Sequence, residues 1–221
     1  MLDHRQRIFD EFRVPDRGRV LKVRNWLRRN RYLDPGRKIS LLEIGYARGG
    51  LIDNLDEYKN VEKYAVDIND RTGEGDITFY RYDCNQGLPD FDGKLFDILF
   101  AGEVIEHLFD DEKFLRECYK VLRPGGVLAL TTPNLFFLVN RILFPFGKMP
   151  YFAYEQYHYH FYDIDTLYRM VRSCGFSVRH VTSSHILISS RRSKYIGRIF
   201  EFLGSLCPFL GAHIILFAVR P

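Results

Sequence analysis

With 221 residues, 46% hydrophobic and 27% charged, the chain carries enough apolar material for one sizeable core, which excludes a disordered or fibrous protein. Its net charge of +4 is uneven: residues 1–38 hold twelve Lys/Arg against five Asp/Glu, an excess of +7, so the remainder stands at −3. Four scattered cysteines (Cys84, Cys118, Cys174, Cys207) without a CxxC pair exclude a disulfide scaffold, and MLDHRQRIFDEF at the N-terminus has no apolar signal core, so a cytoplasmic protein is expected.

In chain order, residues 1–38 read as a basic N-terminal helical extension ahead of a domain expected over 39–221. Its simplest role is a solvated amphipathic helix. Arg17, Arg19, Lys22, Arg24, Arg28, Arg29 and Arg31 also offer a stripe for phosphates or anionic headgroups. From residue 39 the pattern alternates. Strands are predicted at 39–44, 63–67, 77–82, 96–101, 126–132, 177–182 and 214–220, most of them continuous apolar runs that suit a sheet covered on both faces. A helix over 110–122 begins at Asp110/Asp111 and stops at Pro124-Gly125-Gly126. A second, over 164–174, follows Asp163 as N-cap and ends at Gly175. Residues 133–162 lack clear alternation and are expected to form a lid or substrate segment.

The stretch 202–219, FLGSLCPFLGAHIILFAV, has the length of a membrane span and no Asp, Glu, Lys or Arg. Pro208, Gly204, Gly211 and His213 interrupt it, so a buried helix followed by a buried strand is expected. Strand–helix alternation throughout predicts an open α/β sheet.

The segment LLEIGYARGG (41–50) sets an acid and three glycines at the end of the first strand, where backbone N–H groups can approach a ligand closely. Asp67 ends the second strand, placed to accept the hydroxyl hydrogens of a ribose. Together they predict a nucleoside-containing ligand, against the plainer reading of a glycine turn with a solvated acid. Neither G-x-G-x-x-G nor a Gly-Lys-Ser/Thr loop is present. Glu43, two residues before Gly45, would repel a diphosphate and suits a cationic ligand.

These residues resemble the class I S-adenosylmethionine-dependent methyltransferases, of the small-molecule and glycan-modifying type 11/23. Their first motif, acid-x-Gly-x-Gly-x-Gly, reads here Glu43-Ile44-Gly45-Tyr46-Ala47-Arg48-Gly49, with Ala47 standing where the family has glycine. The resemblance places Asp67 at the ribose, Ile68 at the adenine face, and Asp83 with the Cys84 backbone at the adenine amino group. FDILFAGEVIEHL would bring Ala101, Gly102 and Glu103 to the methionine part, followed by the Glu106-His107 pair of this subgroup. It implies a Rossmann-like, seven-stranded, mostly parallel sheet with helices on both faces and the last strand antiparallel. The implied cofactor is S-adenosyl-L-methionine. Asp83 read alone is a turn residue, and Glu106 read alone opens a helix.

An acceptor hydroxyl or protonated amine needs a base, and His107, His158 and His160 are the candidates. The last two lie in YFAYEQYHYHFYD (151–163), where seven aromatics also suit a packed lid. No metal is expected, since H-x-H spacing in a loop is poor evidence of shared coordination. The apolar segments 135–146 and 196–210, beside a basic N-terminus, favour a small-molecule, glycan-like or lipid-linked acceptor, with peripheral membrane contact or a homodimer surface as their other uses. Trp26 and Tyr32 are too few for a stacking platform, so nucleic acid is not expected as the partner. The alternative class is a cofactor- or RNA-binding module weakened in catalysis, for which Ala47 and the basic N-terminus speak.

Overall fold

The computed structural model describes residues 17–46, 50–70, 76–150, 158–186 and 202–221. The described residues contain one sheet of seven strands: β1 (Ile39–Ile44), β2 (Val61–Asp67), β3 (Ile77–Arg81), β4 (Phe96–Gly102), β5 (Leu122–Pro133), β6 (Ser177–Ser183) and β7 (His213–Val219). Their order is β3-β2-β1-β4-β5-β7-β6, with β7 antiparallel to both of its neighbours and the remaining pairs parallel. The predicted fold class is the observed one.

Period-two alternation divides each apolar run between two cores. On one face α1 (Arg17–Arg29) packs Val20, Val23 and Leu27 over Leu41, Ile98, Phe100, Val127, Ile215 and Phe217. On the other, α2 (Asp111–Val121) and α4 (Ile164–Ser173) bring Phe114, Leu115, Cys118, Leu167 and Val171 against Leu42, Ile44, Leu99, Leu128 and Leu216. Asp110 caps α2 by accepting from Lys113 N at 2.8 Å, and Asp163 caps α4 by accepting from Thr166 N at 2.7 Å.

Some boundaries move. β5 starts at Leu122, four residues before its predicted start, because Arg123–Gly126 joins the ladder as a bulge between the Phe96–Leu122 and Ile98–Val127 pairs. The expected buried helix before β7 is instead a helical turn over 202–206, with Phe202 and Leu206 more than 60% exposed. Its glycine decides this: a Cβ on Gly204 would meet Ser184 O at 2.3 Å, so the turn presses its glycine inward and its apolar side chains outward. The lid segment holds a short helix, α3 (Leu138–Leu143), and a 3-10 turn at Phe144–Phe146.

The basic N-terminal region also differs from a solvent-facing stripe. Val20, Val23 and Leu27 are at most 1% exposed, and burial of each contributes about 1.5–3 kcal/mol, so α1 belongs to the core. Trp26 is stacked on Phe217 at 3.9 Å. Arg19 turns inward, Lys22 donates to Ser183 O and Ser184 O at 2.8 and 3.0 Å, and Arg24 donates to Asn54 O at 3.3 Å. Arg28, Arg29 and Arg31 remain exposed, while residues 1–16 lie outside the described residues.

Candidate active site

Five parallel strands bring their C-terminal tips to one edge of the sheet, and the order reverses between β1 and β4, which opens a crevice there. Gly45 closes the β1 side. Its φ is +74°, its N–H donates to Val66 O at 2.9 Å, and a Cβ would strike Val104 Cγ2 at 2.4 Å. Only glycine lets the first loop lie against the β4 turn. Ala47 and Gly49 lie outside the described residues.

Glu43 does not line the crevice as the sequence suggested. Its two carboxyl oxygens accept from Leu51 N (3.0 Å) and Ile52 N (2.7 Å), which fixes the exit of the glycine loop. The side chain is 1% exposed, and burial, partly offset by those two N–H groups, pushes its acid up to about 8. Tyr46 likewise turns inward: it is 2% exposed and its hydroxyl donates to Asp53 Oδ1 at 2.8 Å.

On the same side, Asp67 sits buried at the neighbouring β2 tip and accepts from Asn69 N at 2.8 Å, an Asx turn that aims the carboxylate. Ile68 beside it is 45% exposed. Asp83 accepts from Asn85 N and Asn85 Nδ2 at 3.0 and 3.1 Å, capping the Cys84–Gln86 turn. Burial pushes the Cys84 thiol up to about 12, with the charges of Asp83 and Asp67 adding to the effect. A glycine-backed loop with two carboxylates at adjacent strand tips fits an adenosyl group: Asp67 and Asp83 would hold its polar edges.

The β4 side is built differently. Ala101 is fully buried, and a Cβ on Gly102 would meet Phe100 Cζ at 2.7 Å. Glu103 follows at φ +57°, a left-handed conformation that costs a non-glycine residue about 1–2 kcal/mol. Its N–H donates to Thr131 O at 3.0 Å. Oε1 forms an ion pair with Arg19 and accepts from Thr131 Oγ1 at 3.0 Å, and Oε2 lies 3.4 Å from His213 Nε2. Arg19 Nη1 also donates to Thr131 Oγ1 at 2.6 Å, and His213 Nδ1 lies 3.0 Å from Ser184 Oγ. Because β7 runs antiparallel, its first residue, His213, arrives at the same edge as the β5 end, paired with Pro133.

Past Glu103 comes the Ile105–His107 turn. Glu106 is 1% exposed and its Oε2 accepts from Thr132 Oγ1 at 3.0 Å. The strand-like segment 158–162 returns across this turn, with Tyr159 N donating to Glu106 O at 2.8 Å, and it sets the His158 ring 4.6 Å from that of His107. His160 faces away: its Nδ1 lies 3.7 Å from Asp111 Oδ2, and its ring stacks near Tyr162. Two residues apart, His158 and His160 would share a face of a regular strand, but here their rings part, His158 going to His107 and His160 to Asp111. Instead Glu106, His107 and His158 present donor atoms within 4.8 Å of one another. Residues 151–157, the rest of the aromatic segment, lie outside the described residues.

A family model described as a methyltransferase domain matches residues 13–181. The chain belongs to the methyltransferase-domain family. The family's reaction class is methyl transfer, and its relatives are named as S-adenosylmethionine-dependent. A probable S-adenosylmethionine-dependent methyltransferase of Mycolicibacterium smegmatis is 35% identical over 82 residues, 37% of this chain and 29% of its own. A ubiquinone biosynthesis O-methyltransferase of Caulobacter vibrioides is 32% identical over 110 residues, 45% of this chain and 43% of its own. The matches thus span less than half the length of these curated relatives. Among solved structures, an S-adenosylmethionine-dependent methyltransferase from Archaeoglobus fulgidus superposes with a TM-score of 0.59 at 21% identity, covering 91% of this chain and 94% of its own, which shows the shared fold.

Sequence reasoning missed Arg19, Thr131, Thr132, Ser184 and His213. Arg19 and Thr131 are 112 residues apart, and His213 passed as an interruption of an apolar run. Only Thr131-Thr132, two hydroxyls closing an otherwise apolar strand, left a local trace.

Proposed function

We propose that this protein is a methyltransferase that transfers a methyl group to a hydroxyl of a small-molecule, glycan-like or lipid-linked acceptor with an apolar portion. Bound S-adenosyl-L-methionine supplies a methyl already activated on a sulfonium, so the protein contributes position and electrostatics. Gly45, Asp67 and Asp83 would hold the adenosyl end, and Ala101, Gly102 and Glu103 border the methionine end. His107 and His158 stand where an acceptor would meet the β4 tip, and an imidazole there can take the hydroxyl proton. The observation that carries the reading is the pairing of the Gly45 turn at the β1 tip with the Asp67 carboxylate at the adjacent β2 tip, both beside the β1–β4 reversal.

The acceptor class draws on the rim. Phe136, Ile142, Phe146 and Phe209 are exposed, with Arg141 over the Phe136 and Phe209 rings at 5.7 and 5.5 Å, so an apolar collar with one cation borders the lid segment. The Caulobacter relative named as an O-methyltransferase of ubiquinone biosynthesis supports an oxygen acceptor. Among the described residues no helix is long and apolar enough to cross a membrane, so a lipid-linked acceptor would be met from the surface.

Calorimetry with S-adenosylhomocysteine tests the cofactor half: one site per chain is expected, weakened at least about tenfold by Asp67→Ala. Mass spectrometry of an acceptor panel then seeks the gain of one methyl group. Absence of binding heat overturns the reading, and binding without transfer to any hydroxyl acceptor moves the protein to the binding-module class.

A further inference from the structure

We propose that Glu106, His107 and His158 form a binding site for one divalent transition-metal cation at the acceptor end of the crevice. This rests on the methyltransferase reading and deepens it: with the cation bound, His107 and His158 are its ligands instead of proton acceptors, and the cation takes over activation of the hydroxyl. One carboxylate and two imidazoles suit Mn²⁺, Fe²⁺ or Zn²⁺, whereas Mg²⁺ prefers an all-oxygen set. The donors lie within 4.8 Å of one another. Tetrahedral coordination with bonds of about 2.0–2.1 Å asks for donors about 3.4 Å apart, so the side chains close by roughly an ångström on binding. His107 and His158 are only partly buried and have room for that rotation.

Three further features fit a built site. The two ligand segments are locked to each other through the backbone, since Tyr159 N donates to Glu106 O at 2.8 Å and His160 N to the same oxygen at 3.3 Å. Glu106 is buried, and the Thr132 hydroxyl on its Oε2 orients the carboxylate as an outer partner of a metal ligand does. The triad follows β4 directly, three residues beyond Glu103, where the acceptor must enter.

Three protein ligands leave at least one coordination position, the mark of a catalytic rather than a structural site. There a cation acts as a Lewis acid toward the acceptor hydroxyl and lowers its pKa. The step is redox-neutral. The hydroxyl proton goes to solvent, the oxygen forms a bond to the methyl carbon, and the carbon–sulfur bond breaks with its electron pair passing to sulfur. An ether and the neutral thioether result.

The test uses the full chain stripped with EDTA and titrated calorimetrically with MnCl₂, ZnCl₂ and MgCl₂. The expected result is one Mn²⁺ or Zn²⁺ per chain, bound more tightly than Mg²⁺. His158→Ala and Glu106→Gln should weaken binding at least tenfold, Thr132→Val about tenfold, and His160→Ala should leave it unchanged. Thermal unfolding of each variant separates loss of the site from loss of the fold. His158, being partly exposed, keeps the test decisive if the Glu106 variant fails to fold. No saturable binding of Mn²⁺ or Zn²⁺ below millimolar concentration, or wild-type binding by His158→Ala, overturns the proposal. Cation binding without any S-adenosylhomocysteine binding would uphold the site and sink the methyltransferase reading instead.

Discussion

The two sides of the crevice are made by different means. On the β1–β3 side each functional group is held by its own neighbours: Asp67 by Asn69, Asp83 by Asn85, and Gly45 by the end of β2. On the β4–β5–β7 side the groups come from far apart: Arg19 reaches Glu103 and Thr131, His213 reaches Glu103, and His158 meets His107. Short-range turns give a half that is fixed by its own local hydrogen bonds. A half assembled by long-range contacts can be altered by substitution in any of several elements, and the proposed acceptor end lies in that half.

The comparison can be broken at several points. The largest effect concerns Glu43. Its acid is raised from an ordinary value of 4.5 to about 8, so the folded state binds a proton that the unfolded state has lost. That contribution is complete below pH 4.5, and stability falls as pH rises toward 8, by at most about 1.4 kcal/mol per pH unit. Urea unfolding across pH 5–8 should show the decline. Glu43→Gln should flatten it, though the amide meets one backbone N–H with another donor and lowers stability at every pH. A wild-type profile that rises over this range removes Glu43 as its cause.

Next comes Gly45→Ala, for which the positive φ and the 2.4 Å contact with Val104 together predict about 3 kcal/mol of destabilisation and loss of S-adenosylhomocysteine binding. Unchanged affinity would show that the loop does not need to lie against the β4 turn. Arg19→Ala should cost about 2 kcal/mol, because the mostly buried Glu103 carboxylate loses its arginine cation. Arg19→Ala combined with Glu103→Gln should recover part of that loss in a double-mutant cycle, whereas strict additivity would mean the pair is not coupled. The smallest effect is expected for Asp83→Asn, a fall in S-adenosylhomocysteine affinity of about fivefold with little change in stability. A larger fall there than for Asp67→Ala would reverse the ranking of the two carboxylates.

The alternation of strands and helices, the N-caps Asp110 and Asp163, and the glycine turn were legible because each depends on residues within one or two turns of chain. The apolar runs of β1, β4 and β7 announced burial on both faces, which both cores confirm. The part played by Glu43 was misread. An acid before a glycine loop carries the same sequence pattern whether it faces a ligand or the loop's own N–H groups. The charge stripe of α1 was misread for a similar reason. Periodicity places Arg19 and Lys22 on a helix, but which face the sheet covers depends on where β7 and the 183–184 loop arrive.

Local hydrogen bonds and side-chain periodicity suffice for the order of elements, the glycine turn after β1 and the acids near the tips of β2 and β3, so these were legible in the sequence alone. The tertiary structure alone decided that α1 closes one core, that His158 rather than His160 joins Glu106 and His107, and that Glu103 is held between Arg19 and His213. Those outcomes depend on contacts between residues from 51 positions apart (His107–His158) to 191 apart (Trp26–Phe217), and no local propensity encodes a distance in space between them.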